Sequence, residues 1–200
     1  MPPPIVFWFD FASPYGYFAS VGIHRLAEKH GRAVLWRPVL LWAVLKAHGI
    51  KPPAESKARW SYLLHDMTRT AAFMGLPFKL PELPISAHLA MRLFYGITAQ
   101  RPDLARPFVQ RIYEAFMVEG SPIHDPDALA SLVAPLGISA EEAVAAMNGE
   151  VGRSLLAAAV DEAVADGVVG SPFFFIDGEP FFGVDHVPQM EWFLARQSHV

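Results

Sequence analysis

The amino-acid sequence predicts an α/β fold in which short strands near both ends of the chain flank a long helical stretch. Three observations support this prediction. An apolar run over residues 5–9 precedes a helix start, strand signals become scarce between residues 39 and 167, and residues 173–182 hold two apolar runs around a tight turn. Strands separated by helical patterns are typical of α/β proteins. The predicted order is therefore βαβ, a large all-helical insertion, and then ββα.

The first strand is predicted from the segment that begins at Ile5, because six of its first seven residues are Val, Ile, Phe or Trp. Such density indicates a strand buried on both faces, hence a central one. Ser13-Pro14 follows as a helix start, since serine is a preferred cap and proline is favoured at the first helical position. The helix runs to about His30. Residues 33–38 form a second strand, which completes a parallel βαβ unit.

The middle of the chain predicts six or seven helices, separated by breaks rich in glycine and proline. The clearest start is Ser139, which forms a capping box with Glu142. The last helix of this stretch covers residues 150–166. We therefore predict an insertion domain over residues 39–167, with its last helix packing back on the sheet.

The C-terminal part predicts a β-hairpin. Phe173–Ile176 is an apolar strand, and Asp177-Gly178 is a strong signal for a two-residue turn. Pro180 cannot donate a hydrogen bond to a neighbouring strand, so the return strand is expected at the sheet edge. A final helix is predicted over residues 186–196. Residues 1–38 and 168–200 would together form one domain.

Composition excludes several classes of function. The chain has 200 residues, 52% of them hydrophobic, and a net charge of −4 without basic runs, so we expect neither nucleic-acid nor membrane partners. No basic segment precedes the first apolar run, which indicates a cytoplasmic protein. The chain contains no cysteine, which excludes catalysis by a thiolate of its own. Its eight histidines lack metal-ligand spacing, so no metal is expected, and Ser13 lacks the Gly-x-Ser-x-Gly elbow of many serine hydrolases.

The predicted order of elements is that of a thioredoxin-like fold. In that fold a reactive group lies at the N-terminus of the first helix, where the helix dipole favours an anion, and a cis-proline loop faces it. Ser13 and Pro172 occupy these places in the sequence. We therefore predict a cis bond between Ser171 and Pro172. Ser13 has two open interpretations, a plain helix cap or a hydrogen-bond donor to a bound anion.

Three segments resemble one known family. They are FDFASPY at residues 9–15, RPVLL at residues 37–41 and GSPFFFIDGEPFFGVD at residues 170–185. The sequence is similar to the 2-hydroxychromene-2-carboxylate isomerases and the kappa-class glutathione transferases, which are relatives of the Dsb-type disulfide oxidoreductases. The similarity spans nearly the whole chain, including the helical insertion. It implies a glutathione-dependent enzyme and a homodimer.

The resemblance implies a glutathione site. Ser13 would donate a hydrogen bond to the glutathione sulfur and keep it a thiolate, so that the cofactor supplies the missing cysteine. The backbone of Ser171 would pair with the glutathione backbone, and Asp185 would face the γ-glutamyl ammonium group. Asp185 has an alternative interpretation as the N-cap of the last helix. The implied cofactor-binding residues are Ser13, Pro14, Tyr15, Ser171, Pro172, Gly183, Val184 and Asp185.

The resemblance also implies a reaction, the interconversion of a 2-hydroxychromene-2-carboxylate and a trans-o-hydroxybenzylidenepyruvate in aromatic catabolism. A thiolate that adds reversibly to the conjugated system would allow the double bond to rotate. The substrate carboxylate needs a cation, and Lys46 is the first candidate, followed by Arg59. Lys57 and Arg37 are further candidates, and each of the four has an alternative interpretation as a solvated surface charge.

Three aromatic residues are candidate walls of a substrate pocket, with the protein core as the alternative: Trp42, Trp60 and Tyr62. The sequence departs from the family pattern at Ile50, Ser86 and His186, which leaves the substrate and the thiol open. Two alternative functions stay open as well. One is a kappa-class glutathione transferase, and the other is a non-catalytic thioredoxin-fold binding protein that grips an extended peptide at the Pro172 loop.

Overall fold

A four-stranded mixed sheet forms the centre of the computed structural model, which describes residues 2–82 and 85–197. The strands are β1 (Ile5–Phe9), β2 (Val34–Pro38), β3 (Phe173–Ile176) and β4 (Glu179–Phe182). Their order is β2-β1-β3-β4; β1 and β2 are parallel, and the other two pairs are antiparallel. The predicted central position of the first strand is therefore confirmed. The predicted edge position of the strand with Pro180 is confirmed too.

Nine α-helices surround or extend this sheet in the described part of the chain, and seven of them begin between residues 39 and 167, as predicted. The capping box predicted at Ser139 and Glu142 is present. Within residues 2–82 and 85–197, no helix combines the length and the apolar character needed to cross a membrane. The helices are α1 (Pro14–Lys29), α2 (Leu41–Ala47), α3 (Lys57–Phe73), α4 (His88–Thr98), α5 (Ala105–Glu114), α6 (Pro126–Val133), α7 (Ala140–Asn148), α8 (Glu150–Ala165) and α9 (Val187–Gln197).

The core is an aromatic cluster that continues from the sheet into the helices. Phe7 of β1 stacks on Phe174 of β3, with ring centroids 4.9 Å apart. Phe9 contacts Tyr113 of α5 at 5.8 Å, and Phe11 contacts the same ring at 5.4 Å. These rings are fully or almost fully buried. The end of β1 is therefore held on both sides by large, stiff side chains.

The hairpin between β3 and β4 has the predicted two-residue turn. Asp177 has φ 51° and Gly178 has φ 86°, so both residues are left-handed, as a type I′ turn requires. The Arg32 guanidinium donates to both carboxylate oxygens of Asp177, at 2.8 and 2.6 Å. The hairpin is thereby tied to the loop that precedes β2. In the pairing of β1 with β3, Trp8 lies opposite Phe173, so Pro172, the residue before β3, lies at the end of β1.

Candidate functional site

Ser13 lies where β1 has ended and α1 begins. Its backbone is extended (φ −89°, ψ 114°), and its Oγ accepts the N–H of Gly16 at 3.1 Å, which confirms the predicted N-cap. The same hydroxyl donates to the carbonyl oxygen of Ser171 at 3.1 Å. Ser13 therefore does more than cap the helix, because it also joins the helix N-terminus to the loop before β3.

The loop before β3 faces Ser13, and its Ser171–Pro172 bond is cis, as predicted. Ser171 is buried, and its Oγ accepts the N–H of Asp10 at 3.0 Å. The carbonyl oxygen of Pro172 accepts the N–H of Gly183 at 3.0 Å. Residues from both ends of the chain are thus brought together: Ser13 and Pro14 from one end, and Ser171, Pro172 and Gly183 from the other.

The segment after β4 is a short 3₁₀ turn, Val184–His186, that leads into α9. Gly183 precedes it with φ 101°, and a Cβ at that position would lie 2.4 Å from Asp185 Oδ1, so only glycine fits. Asp185 lies inside the turn, and its side chain is 81% exposed. Its alternative interpretation as the N-cap of the last helix is therefore wrong. The carboxylate faces solvent beside the His186 ring, and Val184 is half-buried.

Asp10 is a buried carboxylate at the site that was not among the predicted site residues. Its Oδ1 accepts the N–H of Ala12 at 2.9 Å, and its Oδ2 accepts the N–H of Leu41 at 3.0 Å. Burial raises the pKa of Asp10 from 3.8 to about 6, although the two backbone N–H groups partly oppose the rise. A charged residue directly after a fully apolar strand was the available signal.

Tyr113 of α5 is buried and contacts the site from the protein core. Its O–H donates to the carbonyl oxygen of Asp10 at 2.9 Å, and burial raises the pKa of this phenol well above its ordinary value. A Cβ at Gly16 would lie 2.4 Å from the Tyr113 oxygen and 3.2 Å from Ser171 Oγ. Glycine at position 16 therefore allows the first turn of α1 to approach both residues. No pattern near Tyr113 indicated this role.

Tyr15 links the first turn of α1 to α3. Its O–H donates to Asp66 Oδ2 at 2.6 Å, and Asp66 Oδ1 accepts the O–H of Tyr62 at 3.3 Å and pairs with Arg69. The hydrogen bond from Tyr15 is the main cause that lowers the pKa of Asp66. Tyr15 was predicted at the site from its sequence motif, whereas Asp66 was not, because the two residues are 51 positions apart in sequence.

The Tyr15–Asp66 hydrogen bond predicts a measurable coupling. In a double-mutant cycle of Tyr15→Phe and Asp66→Asn, we expect a coupling free energy of about 1 kcal/mol, because the phenol is half-buried and the acceptor is charged. Urea unfolding at pH 7 measures it. The matched control is the cycle of Tyr62→Phe with Asp66→Asn, since Tyr62 is 60% exposed; its coupling should be near zero. Equal couplings in both cycles would contradict the specific link.

The four candidates for binding the substrate carboxylate lie on α2, α3 and β2, and they have two different environments. Lys46 on α2 and Arg59 on α3 are exposed. Arg37 on β2 is instead occupied, because its Nη2 lies 2.7 Å from a carboxylate oxygen of Glu162 on α8. The exposed Lys46 and Arg59 therefore remain the candidates for a substrate carboxylate, as does Lys57, which is also exposed.

The aromatic residues of these helices lie largely outside the core. Trp42 is 55% exposed and Tyr62 is 60% exposed, so the alternative that these two belong to the core is wrong. Both helices bury few side chains among the described residues, Val44 and Leu45 on α2 and Met67 and Ala71 on α3, which leaves Trp42 and Tyr62 on open faces. Trp60 is half-buried. Helical spacing alone could not tell a packed aromatic face from an open one.

The three departures from the family pattern have separate surroundings. Ile50 is half-buried after α2, and Ser86 Oγ lies 3.1 Å from His88 Nδ1 just before α4. His186 lies in the 3₁₀ turn beside Asp185. Within residues 2–82 and 85–197, no three His, Asp or Glu side chains converge in a way that could hold a metal ion.

The sheet order, the serine at the start of α1 and the facing cis-proline loop define a thioredoxin-like protein. The family model of the DSBA-like thioredoxin domain matches residues 4–195, and the chain belongs to this family. The predicted fold class is thereby confirmed.

Two curated relatives are similar over nearly their whole length. Glutathione S-transferase kappa 2 of Caenorhabditis elegans is 26% identical and covers 96% of this chain and 92% of its own. The 2-hydroxychromene-2-carboxylate isomerase of Sphingobium xenophagum is 26% identical and covers 97% of this chain and 99% of its own. The resemblance inferred from the sequence motifs is therefore confirmed at the level of these two groups.

Solved structures show the same fold. A 2-hydroxychromene-2-carboxylate isomerase superimposes with a TM-score of 0.85 at 24% identity, covering 97% of this chain and 95% of the other. The cytosolic disulfide reductase DsbM of Pseudomonas aeruginosa, solved with GSH, superimposes with a TM-score of 0.69 at 20% identity, covering 98% of this chain and 100% of the other. The helical insertion is thus part of the shared architecture.

Proposed function

We propose that this protein is a glutathione-dependent isomerase of a substrate of the 2-hydroxychromene-2-carboxylate or trans-o-hydroxybenzylidenepyruvate type, in aromatic catabolism. One observation carries the proposal. The hydroxyl of Ser13 lies at the N-terminus of α1 and contacts the cis-proline loop, in a chain that has no cysteine. The place where a thioredoxin-like oxidoreductase keeps its thiolate therefore holds a hydrogen-bond donor instead.

The residues at this place fit glutathione. The Ser13 hydroxyl would turn its hydrogen bond from the Ser171 carbonyl oxygen to the sulfur, and the N-terminus of α1 would stabilise the negative charge. The backbone of Ser171 would pair with the extended tripeptide, as an added strand pairs with a sheet edge. The exposed carboxylate of Asp185 would face the γ-glutamyl ammonium group. When bound, glutathione supplies the nucleophilic thiolate for reversible addition to a conjugated double bond.

The substrate would lie between the thiol site and the exposed faces of α2 and α3. Lys46, with Arg59 as the second candidate, would hold the substrate carboxylate. The open rings of Trp42 and Tyr62 would cover its aromatic part. We infer a small aromatic acid as substrate because cations and exposed aromatic rings occur together on these two helices. The homodimer and the cytoplasmic location remain predictions.

A calorimetric titration tests the cofactor before any substrate is chosen. We expect one molecule of glutathione to bind per chain. S-methylglutathione, which cannot form a thiolate, should bind at least tenfold more weakly, because it loses the charge-assisted hydrogen bond at Ser13. Equal affinity for the two ligands would contradict the role of Ser13. No binding of either ligand would overturn the proposed function and favour a non-catalytic binding protein.

A kappa-class glutathione transferase is the second candidate, favoured by the similarity to the Caenorhabditis elegans transferase over 96% of this chain. Such an enzyme would use the same thiol site but release a conjugate. Two assays separate the candidates: isomerisation of trans-o-hydroxybenzylidenepyruvate and conjugation of a chlorinated nitroarene. We expect isomerisation to be much faster than conjugation. The reverse order would identify a transferase.

A further inference from the structure

Asp10 bonds to the loop that contains Ser13, to the cis-proline loop and to α5. Its N–H donates to Ser171 Oγ at 3.0 Å, in the cis-proline loop. Its carbonyl oxygen accepts the N–H of Ser13 and the O–H of Tyr113, both at 2.9 Å. Its carboxylate reaches the N–H of Ala12 in the same loop as Ser13. These hydrogen bonds fix the loop between β1 and α1. The second carboxylate oxygen of Asp10, Oδ2, bonds to a residue outside this loop.

That second connection reaches the helix with the candidate substrate residues. Asp10 Oδ2 accepts the N–H of Leu41, the first residue of α2. The preceding residue, Leu40, has no side chain that can cap the helix. The orphan donor at the start of α2 is therefore satisfied by a carboxylate from the loop of residues 10–13 between β1 and α1, which we call the thiol loop. One buried side chain thus bridges the Ser13 loop and the helix that presents Trp42 and Lys46.

We propose that Asp10 is a positioning residue that aligns the substrate side of α2 with the thiol site at Ser13. This inference rests on the proposed function and assigns a role beyond it. Asp10 is only 7% exposed, and each of its carboxylate oxygens accepts a backbone N–H, so it acts through the residues that donate these two hydrogen bonds. Efficient catalysis requires the reacting groups to be positioned with an error well below about 1 Å. Weaker hydrogen bonds to Asp10 would therefore slow turnover more than they would weaken binding.

The protonation state of Asp10 controls this bridge, which consists of the hydrogen bonds from the N–H groups of Ala12 and Leu41 to the Asp10 carboxylate. Protonation turns one carboxylate oxygen into a hydroxyl, which is a poorer acceptor, so the hydrogen bond from one of the two N–H groups would weaken. Burial raises the pKa of Asp10 to about 6. Within the described residues, Tyr113 of α5 is the titratable group that faces Asp10, while the α1 loop, the cis-proline loop and α2 contribute hydroxyl and backbone groups. The bridge should therefore open as the pH falls through about 6.

The kinetic test compares Asp10→Asn with Asp125→Asn. Asp125 is the matched control, because it accepts the backbone N–H of Ala128 as the N-cap of α6, away from the site. We expect Asp10→Asn to lower kcat about tenfold or more, with the Kd of glutathione changed less than about threefold. The wild type and Asp125→Asn should both lose activity below about pH 6, and this acid limb should be absent in Asp10→Asn. The absorbance of bound thiolate at low pH separates this limb from titration of the thiol itself.

Amide hydrogen exchange tests the bridge without any substrate. The protection of the Leu41 N–H should fall in the wild type as the pH drops through about 6, while Ala143 in α7, whose N–H bonds to the Ser139 carbonyl, keeps its protection. In Asp10→Asn the Leu41 N–H should be weakly protected at every pH. Unchanged protection at Leu41, or a wild-type kcat in Asp10→Asn, would overturn the inference. A wild type that binds no glutathione yet shows this exchange pattern would overturn the proposed function alone.

Discussion

Ser13→Ala is expected to lower thiol-dependent turnover about a hundredfold. A loss of this size is typical when an enzyme loses one preorganised hydrogen-bond donor to an anion, here the glutathione thiolate. The hydroxyl is the donor that the structure places between the N-terminus of α1 and the Ser171 carbonyl. Loss of the cap should cost only about 1 kcal/mol of unfolding free energy. The fold should therefore survive, and steady-state kinetics together with urea unfolding measure the two effects on one variant.

Ser139→Ala is the matched control for this prediction. Ser139 is also an N-cap serine, and its Oγ accepts the N–H of Glu142 at 3.1 Å, but it belongs to α7, far in sequence from the thiol loop. We expect a comparable loss of stability and an unchanged turnover. If both variants lose stability equally and neither loses activity, Ser13 is a helix cap and nothing more.

The second large effect is on stability. The pKa of Asp10 is raised from 3.8 to about 6 by burial, so the folded state binds the proton more tightly than the unfolded state does. Its contribution to stability is fully present below about pH 3.8 and is lost as the pH rises through about 6. The loss amounts to about 3 kcal/mol, at 1.4 kcal/mol for each pH unit of pKa shift.

Asp10→Asn supplies the reference that does not titrate. Carboxylates with lowered pKa, such as Asp66 and Glu119, change stability in the opposite direction, but they do so in both proteins and cancel in the difference. The free energy of unfolding of the wild type, minus that of the variant, should therefore fall by about 2.5 kcal/mol between pH 4 and pH 7, since a small part of the loss occurs below pH 4. A difference that stays constant over this range would show that Asp10 titrates normally.

The local chemistry of the chain was sufficient to predict most of the fold. The apolar run at residues 5–9 predicted a central strand, and the lone proline at position 180 predicted an edge strand. The Asp177-Gly178 pair predicted the hairpin, and Ser139 with Glu142 predicted a helix start. These signals are reliable because each depends on backbone geometry or on burial within a few residues.

The sequence predicted the places of Ser13 and the cis-proline loop, but not what surrounds them. Asp10, Tyr113 and Asp66 were not predicted because their long-range partners are 31 to 161 residues away along the chain. The N-cap role of Asp185 was wrong because a 3₁₀ turn intervenes between β4 and α9. Exposure of Trp42 and Tyr62 could not be read from helical spacing, since the same spacing serves a packed face and an open one.

The order of the elements, the serine at the start of α1 and the absence of any thiol all follow from composition and from contacts between near neighbours, so they could be predicted without the fold. Long-range packing is needed to bring the Ser13 hydroxyl against Ser171 and to join the loop that contains Ser13 to α2 through the Asp10 carboxylate. Burial explains the second of these contacts. A carboxylate directly after a strand is an ordinary loop residue until the rest of the chain removes it from water and leaves two backbone N–H groups as its partners.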